Sequence, residues 1–171
     1  MSGTLIVYHG KGKGKSTAAF GCVLRAVGHE MPSLLVQFIK KPGISGEQAM
    51  FAQLGVDYLC AGKGFVVPTM RPSLFQAHEA AARDGIEEAR RKLEHKPYRL
   101  VVFDEIIHVI HLFPELSECA YQLIEFTRAR SLLIVTGYSA PSRLLGMADY
   151  VYSVQEEQAP SEMLAIKGFH L

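Results

Sequence analysis

The sequence predicts an α/β fold with a mainly parallel sheet flanked by helices. Three observations predict it. Short apolar runs alternate with amphipathic stretches of helical period. The runs lack polar alternation, as strands covered on both faces do. The first run enters a Gly- and Lys-rich turn that opens into an Ala-rich helix.

The elements follow in order. Thr4 to His9 is the first strand. Lys15 to about His29 is a helix, with Phe20, Val23, Leu24 and Val27 on one face. Leu34 to Ile39 is a buried strand, and Pro42 to Gly46 a loop. A short helix spans Glu47 to Leu54, and Val56 to Cys60 is another strand. Ala61 to Pro72 mixes Gly and Pro with apolar residues and is irregular. Ser73 to about His95 is a long helix, with Ser73 as its N-cap. Leu100 to Glu105 is a buried strand ending in two acids. Leu116 to Ala129 is helical, and Leu132 to Thr136 is a strand followed by Gly137. Pro141 to Met147 is a short helix, and Tyr150 to Val154 the last strand. In such sheets ligands bind at the carboxyl ends of strands, where Gly10, Gln37, Asp104 and Gly137 fall.

A chain of 171 residues suits one domain, 1–171, with a real core. The net charge of +1 gives no electrostatic case for nucleic acid or an anionic membrane. No aromatic–basic interleaving supports a RecA-type nucleic-acid motor. Cys22, Cys60 and Cys119 fit neither zinc spacing nor a disulfide framework, which favours a reducing cytoplasm. No signal peptide or membrane-spanning run is expected.

The chemistry concentrates in Gly10-Lys11-Gly12-Lys13-Gly14-Lys15-Ser16-Thr17. Strand, glycine turn and helix together converge backbone N–H groups and a helix N-terminus on one point, a polyphosphate site. The fold is therefore expected to be P-loop NTPase-like (RecA-like). The turn departs from the standard G-x-x-x-x-G-K-[ST] spacing. Gly10 stands one residue too close to Gly14, and His9 occupies the usual glycine position. Lys15 would reach phosphates as a point charge, and Ser16 would offer its hydroxyl to Mg²⁺, with Thr17 a second hydroxyl. Asp104-Glu105 has the form of a Walker B pair, since a buried acid at a strand end is costly unless it meets a cation. Glu105 has two readings, polarising water or ligating metal or substrate. Lys11 and Lys13 are phosphate contacts or solvated turn residues. The spacing of His108 and His111 could place both on one helix face, where packing beside the site outweighs metal ligation. Arg25 lies about three turns into the first helix, where an arginine is as readily a solvated surface residue as a member of the site.

These residues resemble the P-loop ATP:corrinoid adenosyltransferases of the CobA/CobO/BtuR type. The block Gly10 to Gly21 followed by Arg25 to His29 carries the likeness, and the family's loop has the same short spacing. Val36 to Lys40, Gly46-Glu47, Gly62 to Phe65, Val101 to Ile106, Thr136-Gly137, Ala140-Pro141, Ala148 to Val151 and Lys167-Gly168 continue it in order. The resemblance implies transfer of the 5′-deoxyadenosyl group of ATP to the cobalt(I) of a reduced corrinoid, releasing triphosphate, in adenosylcobalamin biosynthesis or salvage. It implies a nucleotide reversed in the loop so that C5′ is open, and cobalt(I) as its own nucleophile. Gly10 to Thr17 would then hold the triphosphate. Ser16, Asp104 and Glu105 would hold Mg²⁺, and Arg25 would join Lys15 and Glu105 near the reaction. Phe65 and Val67 would lie on the corrinoid side. A homodimer and a reductant flavoprotein are the partners it implies.

The departures fall away from the loop. Gly64-Phe65-Val66-Val67 stands where the family typically has Gly-Phe-Thr-Trp, and Tyr138 follows Thr136-Gly137 where it often has Arg. The family's Lys-His pair is missing between Gln155 and Leu164. They motivate an alternative: a family-like ATP-binding protein or ATPase that has lost transfer and acts as a corrinoid carrier or ATP-driven switch.

Overall fold

A computed structural model of the chain describes residues 3–43 and 45–158. Its elements are β1 (Thr4–His9), α1 (Lys15–Gly28), β2 (Ser33–Gln37), α2 (Gly46–Gln53), β3 (Asp57–Cys60) and α3 (Pro72–His95). Then follow β4 (Leu100–Asp104), α4 (Ile106–Leu112), α5 (Pro114–Arg128), β5 (Leu132–Gly137), α6 (Ser142–Met147) and β6 (Tyr150–Ser153). The strands form one sheet in the order β3-β2-β4-β5-β1-β6, and every neighbouring pair is parallel.

Strand alternation divides the core between two faces. Leu5, Val7, Leu34, Val36, Val101, Phe103, Leu133 and Val135 point to the face covered by α3, α4 and α5. Leu35, Leu100, Val102 and Ile134 point to the face covered by α1 and α2, against Ala19, Val23 and Phe51. The chain thus leaves β1 toward one face and β4 toward the other. That arrangement opens a crevice at the strands' carboxyl ends.

Several boundaries differ from expectation. β2 stops at Gln37, and β4 stops at Asp104. Glu105 leaves the strand with φ +62°, a left-handed corner that starts α4. α4 itself is an addition: Ile106 to Ile110 is too uniformly apolar for a helical stripe to show in sequence, because almost all of it is buried. α3 begins at Pro72 with Arg71 in the cap position, so Ser73 is not the N-cap. Proline suits the first helical position, where its missing N–H has no intrahelical partner to lose. For the same reason α5 starts at Pro114, two residues before Leu116. Ile44 and Lys167-Gly168 lie outside the described residues, as does part of the segment Gln155 to Leu164.

Candidate functional site

Gln37, Asp104 and Thr136 share the α1 face at the ends of β2, β4 and β5, with Gln37 paired to Asp104 in register. Asp104 is fully buried and accepts three side-chain hydrogen bonds. Ser16 Oγ donates to Oδ1 at 2.7 Å, Thr136 Oγ1 to the same oxygen at 2.8 Å, and Gln37 Nε2 to Oδ2 at 3.0 Å. Ser16 is the second residue of α1, so the loop helix is tied to the acid strand by a hydroxyl. Gln37 is itself fixed: its Oε1 accepts from Tyr58 Oη at 2.7 Å and from Gln48 Nε2 at 3.0 Å. Two donors on Oε1 set the amide so that Nε2 must face the carboxylate. Gln48 also accepts from the Gly43 N–H at 2.6 Å, which ties the segment after β2 to the same cluster.

The loop is held by its own backbone. The Gly10 N–H donates to the Tyr138 carbonyl at 2.8 Å, and the Gly12 N–H to the Val154 carbonyl at 2.9 Å. Gly10 has φ +123°, and a Cβ there would also strike the Val154 carbonyl. Gly14 caps α1 at φ +108°. The first helical bond runs from the Ala18 N–H to the Gly14 carbonyl. The amides of Lys15, Ser16 and Thr17 therefore have no acceptor within the helix, and the anion-facing donors cluster here rather than at Gly10 or Gly12. Lys15 folds back, its Nζ donating to the Gly12 carbonyl at 2.6 Å. Burial lowers its pKa, against the pull of Glu105 and Asp104. Lys11, Lys13 and Thr17 are exposed.

Glu105 is brought in by the left-handed corner, its N–H donating to Thr136 Oγ1 at 2.8 Å. Burial, then the neighbouring Asp104 charge, push its carboxyl up to about 7, although Lys40 and Lys15 pull the other way. The buried Asp104 and half-buried Glu105 carboxylates beside a hydroxyl form a hard-oxygen donor set suited to a divalent cation. His108 stands one turn along α4, and its Nδ1 is buried without a hydrogen-bond partner. Burial, then Lys15, depress its pKa. His111 is exposed and donates from Nε2 to the Ser139 carbonyl at 2.6 Å.

The remaining candidates lie apart. Arg25 is exposed near the far end of α1, about 15 Å along the axis from Lys15, and is not brought to the loop. Its charge acts on Tyr8 instead. Phe65 is 84% exposed, Val66 is buried and Val67 is half-buried. That segment is tacked beside β2, with the Gly64 N–H donating to the Ile39 carbonyl at 2.9 Å. Tyr138 is half exposed and lines a cavity of about 430 Å³ with His9, Gly10, Lys11, Ser139 and Glu156. A cavity of about 720 Å³ lies nearer β3 and α3, lined by Lys41, Lys63, Asp84 and Glu88 among others. Gln37 and Thr136 hold Asp104, a role the sequence did not assign, although Gln37 falls at a strand's carboxyl end and Thr136 within the family likeness. The available signal was a polar residue inside an otherwise apolar run.

A family model described as ATP:corrinoid adenosyltransferase BtuR/CobO/CobP matches residues 1–169. The corrinoid adenosyltransferase of Escherichia coli K12 is 33% identical over 150 residues, covering 87% of this chain and 74% of the relative. That of Pseudomonas aeruginosa is 37% identical over 152 residues, covering 87% and 73%. The corrinoid adenosyltransferase CobA of Salmonella typhimurium is 32% identical over 149 residues, covering 87% and 74%.

Proposed function

The chain belongs to the ATP:corrinoid adenosyltransferase family, and we propose that it transfers the 5′-deoxyadenosyl group of ATP to the cobalt(I) of a reduced corrinoid. A Co–C5′ bond forms as the C5′–O bond breaks, and the bonding electron pair leaves with triphosphate. One observation carries the reading: Ser16 Oγ donates to buried Asp104 at 2.7 Å, which joins the loop to the acid strand and supports a single phosphate site there. No general base is required. The protein's work is to position the reactants and stabilise the leaving group.

Lys15 and the amides of the first turn of α1 would bind the triphosphate oxygens, with the rest of Gly10 to Thr17 shaping the loop. Ser16, Asp104 and Glu105 would hold Mg²⁺, which when bound offsets the negative charge of the triphosphate. The carboxyl of Glu105, held up to about 7, supports a cation in that place. Arg25 belongs to the set by resemblance, and from its position it would act only at long range. Phe65, exposed on its tacked segment, would stack on the corrinoid beside Val67.

The edge strand β6 leaves Tyr150, Val151 and Tyr152 about half exposed, which supports a homodimer. Free thiols at Cys22, Cys60 and Cys119 support a reducing cytoplasm. Among the described residues no helix is long and apolar enough to cross a membrane. A flavoprotein would supply cobalt(I).

Val67 and Tyr138 favour a second reading, ATP binding without transfer. One experiment separates the two. Protein, ATP, Mg²⁺ and chemically reduced corrinoid should yield a light-sensitive Co–C product and equimolar triphosphate. ADP and phosphate alone would contradict transfer. If transfer is slow, Val67→Trp or Tyr138→Arg should raise it.

A further inference from the structure

The cavity of about 720 Å³ lies at the carboxyl end of β3, between the turn after β2, the turn after β3 and the middle of α3. Its lining is charged on two sides: Lys41 and Lys63 come from the turns, Asp84 and Glu88 from α3. We propose that this cavity takes the carboxamide arms at the edge of the corrinoid, and that Lys63 and Asp84 select a corrinoid with amide arms over one with free carboxylates. The inference rests on a corrinoid being the co-substrate and names the class of corrinoid the site takes.

The walls are fixed by the chain itself. The Ala61 N–H donates to the Gln37 carbonyl at 2.8 Å, and Cys60 Sγ donates to the Lys40 carbonyl at 3.0 Å. Two glycines let the segments close. A Cβ on Gly62 would strike the Ile39 carbonyl, and one on Gly85 would strike the Ala61 Cβ. The bond at Gln37 ties the cavity to the cluster around Asp104. Phe65 follows Lys63 by two residues, so at most about 7 Å of chain separates their Cα atoms. A corrin ring stacked on exposed Phe65 would bring its edge arms within reach of the cavity. The lining then decides which arms suit it. An amide offers its carbonyl to an ammonium and its NH2 to a carboxylate, so it uses both walls. A carboxylate only accepts; it would pair with the lysines while lying against like charges on α3. Glu88 is already held by Arg91 at 2.6 Å. Asp84 forms no ion pair among the described residues, which leaves its oxygens for an amide N–H.

The test uses the full chain and two probes in the same axial-ligand state: cobinamide, whose arms are amides, and cobyrinic acid, whose arms are carboxylates. In calorimetric titration, wild type should bind cobinamide about tenfold more tightly or better. Asp84→Asn, at an exposed position of α3, should bring the two affinities within about twofold, mainly by strengthening cobyrinic acid. Lys63→Gln should move the ratio the other way. Phe65→Ala should weaken both probes alike, because it removes the stack and leaves the contacts to the arms. Equal affinities in wild type, or a preference for cobyrinic acid, would overturn the proposal. So would a ratio that Asp84→Asn leaves unchanged. If wild type binds neither probe, the corrinoid reading fails and takes this inference with it. If it binds both without preference, only the inference fails.

Discussion

Asp104 accepts three side-chain donors in a place without solvent, and its orientation depends on all of them. Gln37 is the most exacting of the three, because Gln37→Met would leave Tyr58 Oη, Gln48 Nε2 and Asp104 Oδ2 each short of a partner. We expect a loss of about 1–3 kcal/mol in denaturant unfolding, with weaker ATP binding. Glu105 has the opposite character. Its carboxyl stands near 7 in the folded protein, against 4.5 as its ordinary value. The folded protein therefore keeps a proton that the unfolded chain releases. The stability this confers is complete below about pH 4.5 and is lost as pH rises through 7. In chelator-treated protein, Glu105→Gln should therefore melt above wild type at pH 8. The margin should be on the order of 3 kcal/mol larger than at pH 4. An equal margin at both pH values would contradict the assignment. Lys15, Ser16 and Asp104 were legible in sequence because glycine spacing and an acid ending an apolar run are local signals. The bonds of Gln37 and Thr136 to Asp104 were not, since they depend on β2, β4 and β5 lying side by side in register.

At the scale of elements, the strands were legible and the short helix after β4 was not. α4 is buried nearly all round, so it shows no polar stripe, and it begins at a corner that a non-glycine residue rarely takes. It matters because Glu105 and His108 ride on it. Gly137 is what lets α4 dock, for a Cβ there would run into Ile107. Gly137→Ala should cost about 1–3 kcal/mol and weaken ATP binding through displacement of α4. Adding Ile107→Gly, which removes the Cβ that the new methyl would strike, should relieve the clash. The double variant should then be more stable than the two separate losses predict, as a double-mutant cycle in denaturant would show. Strict additivity would mean that the contact is not tight.

Across the whole molecule, β1 and β4 straddle β5, so loop, acid and Thr136 meet at the carboxyl ends of the central strands. The parallel sheet is legible in uninterrupted apolar runs, whereas strand order emerges only from crossovers between distant segments. The exposed edge at β6 bears on assembly. If the proposed dimer forms through β6, a Tyr152→Lys variant should run as a monomer in light scattering where wild type runs as a dimer, and a Tyr152→Phe control, which keeps a ring on Tyr8, should not. A wild type already monomeric at tens of micromolar would rule out the dimer. In the proposed reaction the loop holds triphosphate as a leaving group rather than ATP as a phosphoryl donor. The orientation of ATP in a nucleotide-bound crystal structure tests this most directly. A triphosphate running in reverse through Gly10 to Ser16, with C5′ open toward the side of Phe65, is the expected result. A nucleotide in the ordinary direction, with its γ-phosphate at Lys15 and C5′ covered, would contradict it.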